Sequence, residues 1–432
     1  MMTVDEAMHT AMQLQSENKL EQAEILLNRI LAINPLHAHA LHMLGIIAYQ
    51  AGKITLSIQL IEQAIQNNAQ VALFHSNLGE MHRLLKATDA SIQCGQRAVA
   101  LDPHSATFLS NLGIAYYDAS QYEKAEQCHK QALAINPQSS CSLNNMGSIY
   151  KAYGQTKQAI EFYLAAIAAA PHFVEPLNNV GVLFLQQQEY TQALKYLNQA
   201  LILAPGFSDA HCSIGLTFLG LDQFSNALMH FEKALQLKPD SAEAYYGIAK
   251  IHLHQHLFVE SEFFIRKAIT IKPEEVEFYK LLAEIYHEQG NHEQALMHVD
   301  HALSIDATHT GLSLSKGSIM MEMGDTSKAE EHLAKISKNP SIDTRILAHY
   351  SLVQLRKVNA DHSSLHDLLA IEDNHMAGVS LSKLEYLYFA LGKCHDDMGQ
   401  SQKAFEYFSH GCHLKRTRIT YNIAEQIQFT NK

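Results

Sequence analysis

Asn77, Asn111, Asn145 and Asn179 recur every 34 residues, and Asn144 and Asn178 set a second amide beside two of them. An amide is donor and acceptor at once, so a row of them can pair with the backbone of an extended peptide whatever its sequence. Asparagine is a mediocre helix former, and helix packing does not require it at this position. Two uses remain. The row grips a partner's segment, or it bonds neighbouring helices to one another with no ligand. The expectation adopted is the first, with the amides free and facing a groove. Alanine at all four positions should then keep or raise stability while lowering partner affinity by at least about tenfold.

The 27 histidines are the other chemical resource. Two imidazoles presented to one metal ion from a helix face need i, i+4 spacing. His37, His39 and His42, and likewise His252, His254 and His256, are spaced otherwise. Cys394-His395-Asp396-Asp397 and His410-Gly411-Cys412-His413 fall in separate helices. The expectation is no metal and no cofactor, with histidines on the surface or in a groove. No G-x-x-x-x-G-K-[ST], G-x-S-x-G or H-E-x-x-H motif occurs, so no enzyme site is read here.

The elements that position these residues follow from one period. Small residues fall at Gly45, Gly79, Gly113, Gly147, Gly181, Gly215, Ala249, Ala283 and Gly317, always 34 apart. Pro35, Pro103, Pro137, Pro171, Pro205, Pro239 and Pro273 keep the same lattice. In the unit Ala106–Gln138, Leu109, Leu112 and Tyr116 form one helical stripe. Ala125, His129 and Ala132 form a second. Gly113 and Ala125 are expected to face each other where two helices approach closely. Pro137 cannot continue the second helix. Such a helix pair cannot bury its apolar faces alone, so stacking is required. Every glycine is read as a packing residue.

This unit resembles the tetratricopeptide repeat (TPR). The resemblance covers ten repeats and implies an all-α fold, a right-handed α-α superhelix closed by a C-terminal helical cap. The expected organisation is ten tandem repeats over 1–341, an irregular helical insert over 342–383, and a degenerate eleventh repeat with a basic final helix over 384–432. Within the insert, helices are read at Ile342–Val358 and Ser363–Ile371, followed by a loop. The asparagine positions are similar to those of the repeats of O-linked N-acetylglucosamine transferase, where an asparagine ladder lines the concave groove. That resemblance implies peptide binding through Asn77, Asn111, Asn144, Asn145, Asn178 and Asn179. First helices roughly 10 Å apart would let four rungs hold roughly nine to twelve extended residues. The clamp with which some repeats hold a chaperone's terminal carboxylate needs lysine and arginine. Ser76, Glu80, Asn111, Cys141 and Asn145 stand there instead, so that mode is excluded.

Leu384–Ile423 is similar to the segment preceding the catalytic domain of bacterial repeat-containing sulfotransferases. Phe389-Ala390-Leu391-Gly392-Lys393, Asp397, Gly399, Ala404-Phe405, Gly411, Arg416, Arg418 and Tyr421 carry that likeness. The phosphate-cradling fold of that family has no counterpart after Tyr421, so its activity is not expected. The implied alternative function is a substrate-presenting arm for a separate sulfotransferase or glycosyltransferase partner. The main expectation is a scaffold binding an extended segment of a protein or peptide partner.

Composition agrees. The net charge of −12 argues against a nucleic-acid partner, which needs a basic face. No run of about 18 apolar residues exists, so no membrane insertion is expected. The acidic start, Met1-Met2-Thr3-Val4-Asp5-Glu6, does not read as a signal peptide. Six scattered cysteines without a CxxC pair are expected to be free, buried thiols, and the expected location is cytoplasmic.

Overall fold

The computed structural model describes residues 3–418. They contain 24 α-helices, one 3-10 turn and no strand. In the first of two compact units, residues 1–223, the helices are α1 (Val4–Ser16), α2 (Leu20–Ile33), α3 (Ala38–Gln50), α4 (Ile54–Asn67), α5 (Ala72–Leu84), α6 (Thr88–Leu101), α7 (Ala106–Asp118), α8 (Tyr122–Ile135), α9 (Ser140–Ala152), α10 (Thr156–Ala169), α11 (Val174–Gln186), α12 (Tyr190–Leu203) and α13 (Ser208–Gly220). The second unit, residues 224–432, holds α14 (Phe224–Leu237), α15 (Ala242–His254), α16 (Phe258–Ile271), α17 (Val276–Glu288), α18 (His292–Ile305), α19 (Thr310–Glu322), α20 (Thr326–Ile336), α21 (Ile342–Leu355), α22 (Ser363–Asn374), the turn Met376–Gly378, α23 (Leu381–Asp397) and α24 (Ser401–Arg418). None of these helices is long and apolar enough to cross a membrane.

Helix starts keep the 34-residue period through α20. Within each unit the helices pack on their neighbours in sequence, and first helices of successive repeats also touch, as α5 with α7 and α7 with α9. The two stripes of the unit Ala106–Gln138 are buried, Leu112 to 6% exposure and His129 completely.

The close approach at Gly113 is made differently from the expected glycine–alanine meeting. A Cβ there would lie 2.6 Å from the His129 ring, and one at Gly147 would lie 2.6 Å from Tyr163. The glycine column is thus a slot for a large side chain sixteen residues on: Ile61, His129, Tyr163, Leu197 and Leu333 fill it in their repeats. Ala125 belongs to the same contact only by its column, whose Ser57 and Ser91 carbonyls would lie 3.2 Å from a Cβ on Gly45 and Gly79.

Not every glycine packs. Gly52, Gly154, Gly290, Gly324 and Gly399 lie in left-handed turns, with φ between 72° and 82°. Asn18, Lys86, Ser120, Gln188 and His256 adopt the same conformation at equivalent positions, with φ between 57° and 62°. This residue lets the next amide reach back and close the helix, as Lys53 N–H does to the Ala48 carbonyl at 2.8 Å.

After α20 the period breaks. Helix α21 stops at Leu355, earlier than the sequence suggests, and α22 runs on to Asn374, so the expected loop is partly helix and partly 3-10 turn. Asp397 Oδ2 accepts a hydrogen bond from Val358 N–H at 2.9 Å, which secures the chain just beyond α21. The α23–α24 pair restores the glycine slot, with Gly392 against Phe408.

Candidate functional site

The asparagine row lies on the first helices α5, α7, α9 and α11, and all six amides are half-buried. Two successive first helices place residue i of one beside residue i+35 of the next. Asn77 Nδ2 donates to His42 Nε2 at 2.9 Å, Asn111 Nδ2 to Ser76 Oγ at 3.0 Å, and Asn179 Nδ2 to Asn144 Oδ1 at 3.1 Å. Ser213 Oγ continues the series by donating to Asn178 Oδ1 at 3.0 Å.

Free amides throughout were expected; only Asn145 meets that description. Its partner across the rung, Ser110, accepts from Ser142 at 3.3 Å instead. Each bonded amide still uses one end alone. Asn77, Asn111 and Asn179 keep their carbonyl oxygens, and Asn144 and Asn178 keep their NH2 groups. The rungs therefore tie the helices together and also fix where the remaining donors and acceptors point.

At one end of the row a cleft of about 970 Å³ opens against α1, α3 and α5. Asn77, His42, Met8, Met12, Met43 and Tyr49 are among the residues lining it, and Met12 is 58% exposed. Flexible methionines suit a surface that accepts varied apolar side chains. Glu80 also lines the cleft and is paired with Arg83 at 2.7 Å, a poor setting for a partner's carboxylate.

Several histidines have tasks in the scaffold, while others, such as His104, His172 and His301, are exposed and His37, His39 and His42 line the cleft, as expected of them. His37 and His309 cap their helices by accepting from Ala40 N–H and Leu312 N–H, the task Ser105 performs in another repeat. His75 donates to the Ala69 carbonyl at 3.0 Å. His252 stacks on Phe264, His254 packs on Phe224, and His256 sits in a left-handed turn, so that trio does not converge. His395 bonds Gln400 at 2.7 Å and stacks on Tyr407.

His42, His129 and His349 are buried, and loss of solvent pushes each down to about 4. For His42 and His349, neighbouring positive or ionisable groups reinforce the shift, although Asp367 opposes it at His349. Below the ordinary value of 6.5 the unfolded chain takes up protons that the folded chain refuses. Stability is therefore complete above that pH and is lost as pH falls toward 4. His129→Leu installs the residue that Leu197 supplies in its own repeat. It should stabilise the chain at pH 5.5, relative to its effect at pH 8, by on the order of 1 kcal/mol. Urea melts at both pH values measure this, and an equal effect at the two would contradict it.

The residues carrying the sulfotransferase likeness have local structural work. Lys393 pairs with Asp397, Gly399 forms a turn at φ 75°, and a Cβ on Gly411 would lie 3.0 Å from Phe389. Tyr421 lies outside the described residues. None of the six cysteines forms a disulfide; Cys141 and Cys412 are exposed, contrary to the buried state expected of all six. Burial pushes the Cys128 and Cys394 thiols up to about 11.

Family models for the tetratricopeptide repeat match residues 69–138 and 105–172, residues 11–72 and 144–206, and residues 386–417. A model for the anaphase-promoting complex, cyclosome, subunit 3 matches residues 221–302. No curated protein matches the sequence. Among solved structures, the human IFIT1 dimer with PPP-AAAA is similar over 91% of this chain and 94% of its own, at 17% identity and a TM-score of 0.55. The same dimer with m7Gppp-AAAA gives 16% identity and 0.56 over the same shares. A tetratricopeptide repeat protein from Parabacteroides merdae is 21% identical over 57% of this chain and 98% of its own, with a TM-score of 0.46. At such identities likeness speaks to fold alone. The repeat models between them span more than half of the sequence, and the helix pairs keep the same 34-residue period: the chain belongs to the tetratricopeptide-repeat family.

Proposed function

We propose that this chain is a non-enzymatic scaffold that holds an extended segment of a protein partner along the first-helix face of its N-terminal unit. Tetratricopeptide repeats generally mediate protein–protein interaction. The observation that carries the narrower reading is the row of half-buried amides, all but Asn145 bonded at one end by a rung that orients the other end. Backbone pairing through the amides would supply affinity without sequence demands. The methionine-lined cleft would supply preference for apolar side chains at one end. A cytoplasmic location fits cysteines that are not paired.

The arm reading has less support. Its C-terminal segment is matched as a tetratricopeptide repeat over 386–417, and its distinctive residues serve the α23–α24 pair. The ligands PPP-AAAA and m7Gppp-AAAA belong to the human protein, and a net charge of −12 disfavours phosphate-rich partners here.

Selection of a random dodecapeptide library on the full chain tests the proposal. Extended, apolar-ended peptides that compete with one another should emerge, whereas duplex DNA should bind only weakly at physiological salt. Failure to enrich any peptide, or salt-sensitive submicromolar DNA binding, would overturn it.

A further inference from the structure

We propose that His287, His292 and Glu322 form a binding site for one divalent transition-metal ion of the zinc class. His287 lies in the last turn of α17, His292 opens α18 after the turn at Gly290, and Glu322 ends α19 in the next repeat. One nitrogen from each imidazole and one carboxylate oxygen all lie within 4.8 Å of one another. His287 Nε2 is 2.7 Å from Glu322 Oε2, and His292 Nδ1 is 3.4 Å from the same oxygen.

The repeat lattice explains why the three meet. Residues i and i+35 on successive first helices are neighbours, so His287 and Glu322 occupy the same rung as Arg83 and Asp118, an ion pair at 3.1 Å. The positions of His287 and His292 also correspond to Tyr117 and Tyr122, whose rings lie 5.4 Å apart against 5.6 Å for the histidines. Elsewhere the lattice uses the first relation for an ion pair and the second for an apolar ring contact. Among the described residues, this is where both place metal-ligating groups on one point. Phe224 and Phe258 occupy the position of His292 in the two preceding repeats, so packing does not call for an imidazole.

The His292 Nδ1 atom is shielded from solvent and makes no hydrogen bond. Glu322 Oε2 lies 3.4 Å from that nitrogen without hydrogen-bonding it, and a metal ion between them would use both. Zinc takes nitrogen and oxygen ligands at about 2.0–2.2 Å, which sets ligand atoms roughly 3.3 Å apart in a tetrahedron. The His292–Glu322 separation already matches. His287 and Glu322 would have to open slightly, and their side chains are 37% and 44% exposed, free enough to do so. Three protein ligands leave one coordination position. His287 and Glu322 also line a cleft of about 340 Å³ with Glu284 and Tyr350, so that position has room for water or an incoming ligand.

The test uses untagged full-length chain stripped with chelator and titrated with ZnCl2 by calorimetry, followed by the visible absorption of Co²⁺. One ion should bind per chain, and addition of Zn²⁺ should raise the melting temperature. His292→Phe, the residue of neighbouring repeats, and Glu322→Gln should each weaken that binding roughly tenfold or more, while melting with the parent in the absence of metal. Zinc binding unchanged in both variants would place the ion among other histidines and cysteines and overturn the proposal. No binding by the parent would reduce the cluster to an ion pair and overturn it equally. This site stands apart from the peptide reading and survives its failure.

Discussion

Leu112→Ala is expected to cost roughly 2–5 kcal/mol, the range for truncating a buried leucine. Leu112 is 6% exposed, in a cluster with Ile92, Tyr116, Met146 and Ile149. It also fills the space above Gly95, where a Cβ would lie 3.0 Å from Leu112 Cδ1. Truncation therefore opens a void over a residue with no side chain to collapse into it, which places the cost toward the upper end. Because each repeat touches only its neighbours, the loss should stay local. Hydrogen exchange should show protection falling in α6 through α9 and surviving in α1, α2 and residues 224–418. Uniform weakening along the chain would contradict the nearest-neighbour picture.

The second large effect belongs to the asparagine row. Replacing Asn77, Asn111, Asn145 and Asn179 together by alanine should lower the melting temperature, the reverse of what free amides would predict. His42 and Ser76 are 6% and 4% exposed, and each would lose the amide that now pairs with it. A buried polar group left unmatched costs roughly 1–3 kcal/mol. The better helix propensity of alanine returns only about 0.5 kcal/mol per position. Partner affinity should fall as well, but in this variant binding and folding move together. Thermal melts of the quadruple variant against the parent measure the first part; an unchanged or higher melting temperature would show that the rungs contribute nothing.

How much of this was legible in the sequence depended on whether a position is fixed by residue type. The helix pairs were readable because Gly113, Ala125 and Ala132 must be small and Leu109 and Leu112 must be apolar, repeat after repeat. The left-handed turn column was not, because Gly, Asn, Lys, Ser, Gln and His all occupy it. Its requirement is on the backbone, and the geometry of the stack tolerates the strain. The row of amides was visible as composition. Its bonding was not, since a rung joins residue i to i+35 and pairs unlike residues: Asn77 with His42, Asn111 with Ser76. The His287–His292–Glu322 cluster stayed hidden for the same reason. Its members come from two repeats, and only the offset of one residue between successive first helices brings them together. The burial of His129 was legible, since its stripe with Ala125 and Ala132 sets it in a column otherwise held by residues such as Ile61, Tyr163 and Leu197, all buried.

Asn145 is where the peptide reading separates most cleanly from the purely structural one. It shares the row and the half-buried setting of Asn77, Asn111 and Asn179, yet its side chain bonds nothing, because Ser142 has taken Ser110. Asn145→Ala thus removes no bond from the folded chain and should leave the melting temperature unchanged or slightly higher. If the row grips an extended backbone, the same substitution removes up to two bonds to it, each worth roughly 0.5–1.5 kcal/mol. The decisive measurement is fluorescence anisotropy of a labelled dodecapeptide selected on the full chain, titrated with parent and Asn145→Ala protein at equal melting temperature. A rise in Kd of about tenfold is the predicted result. An unchanged Kd would leave the row as a tie between helices and contradict the proposal that it holds a partner.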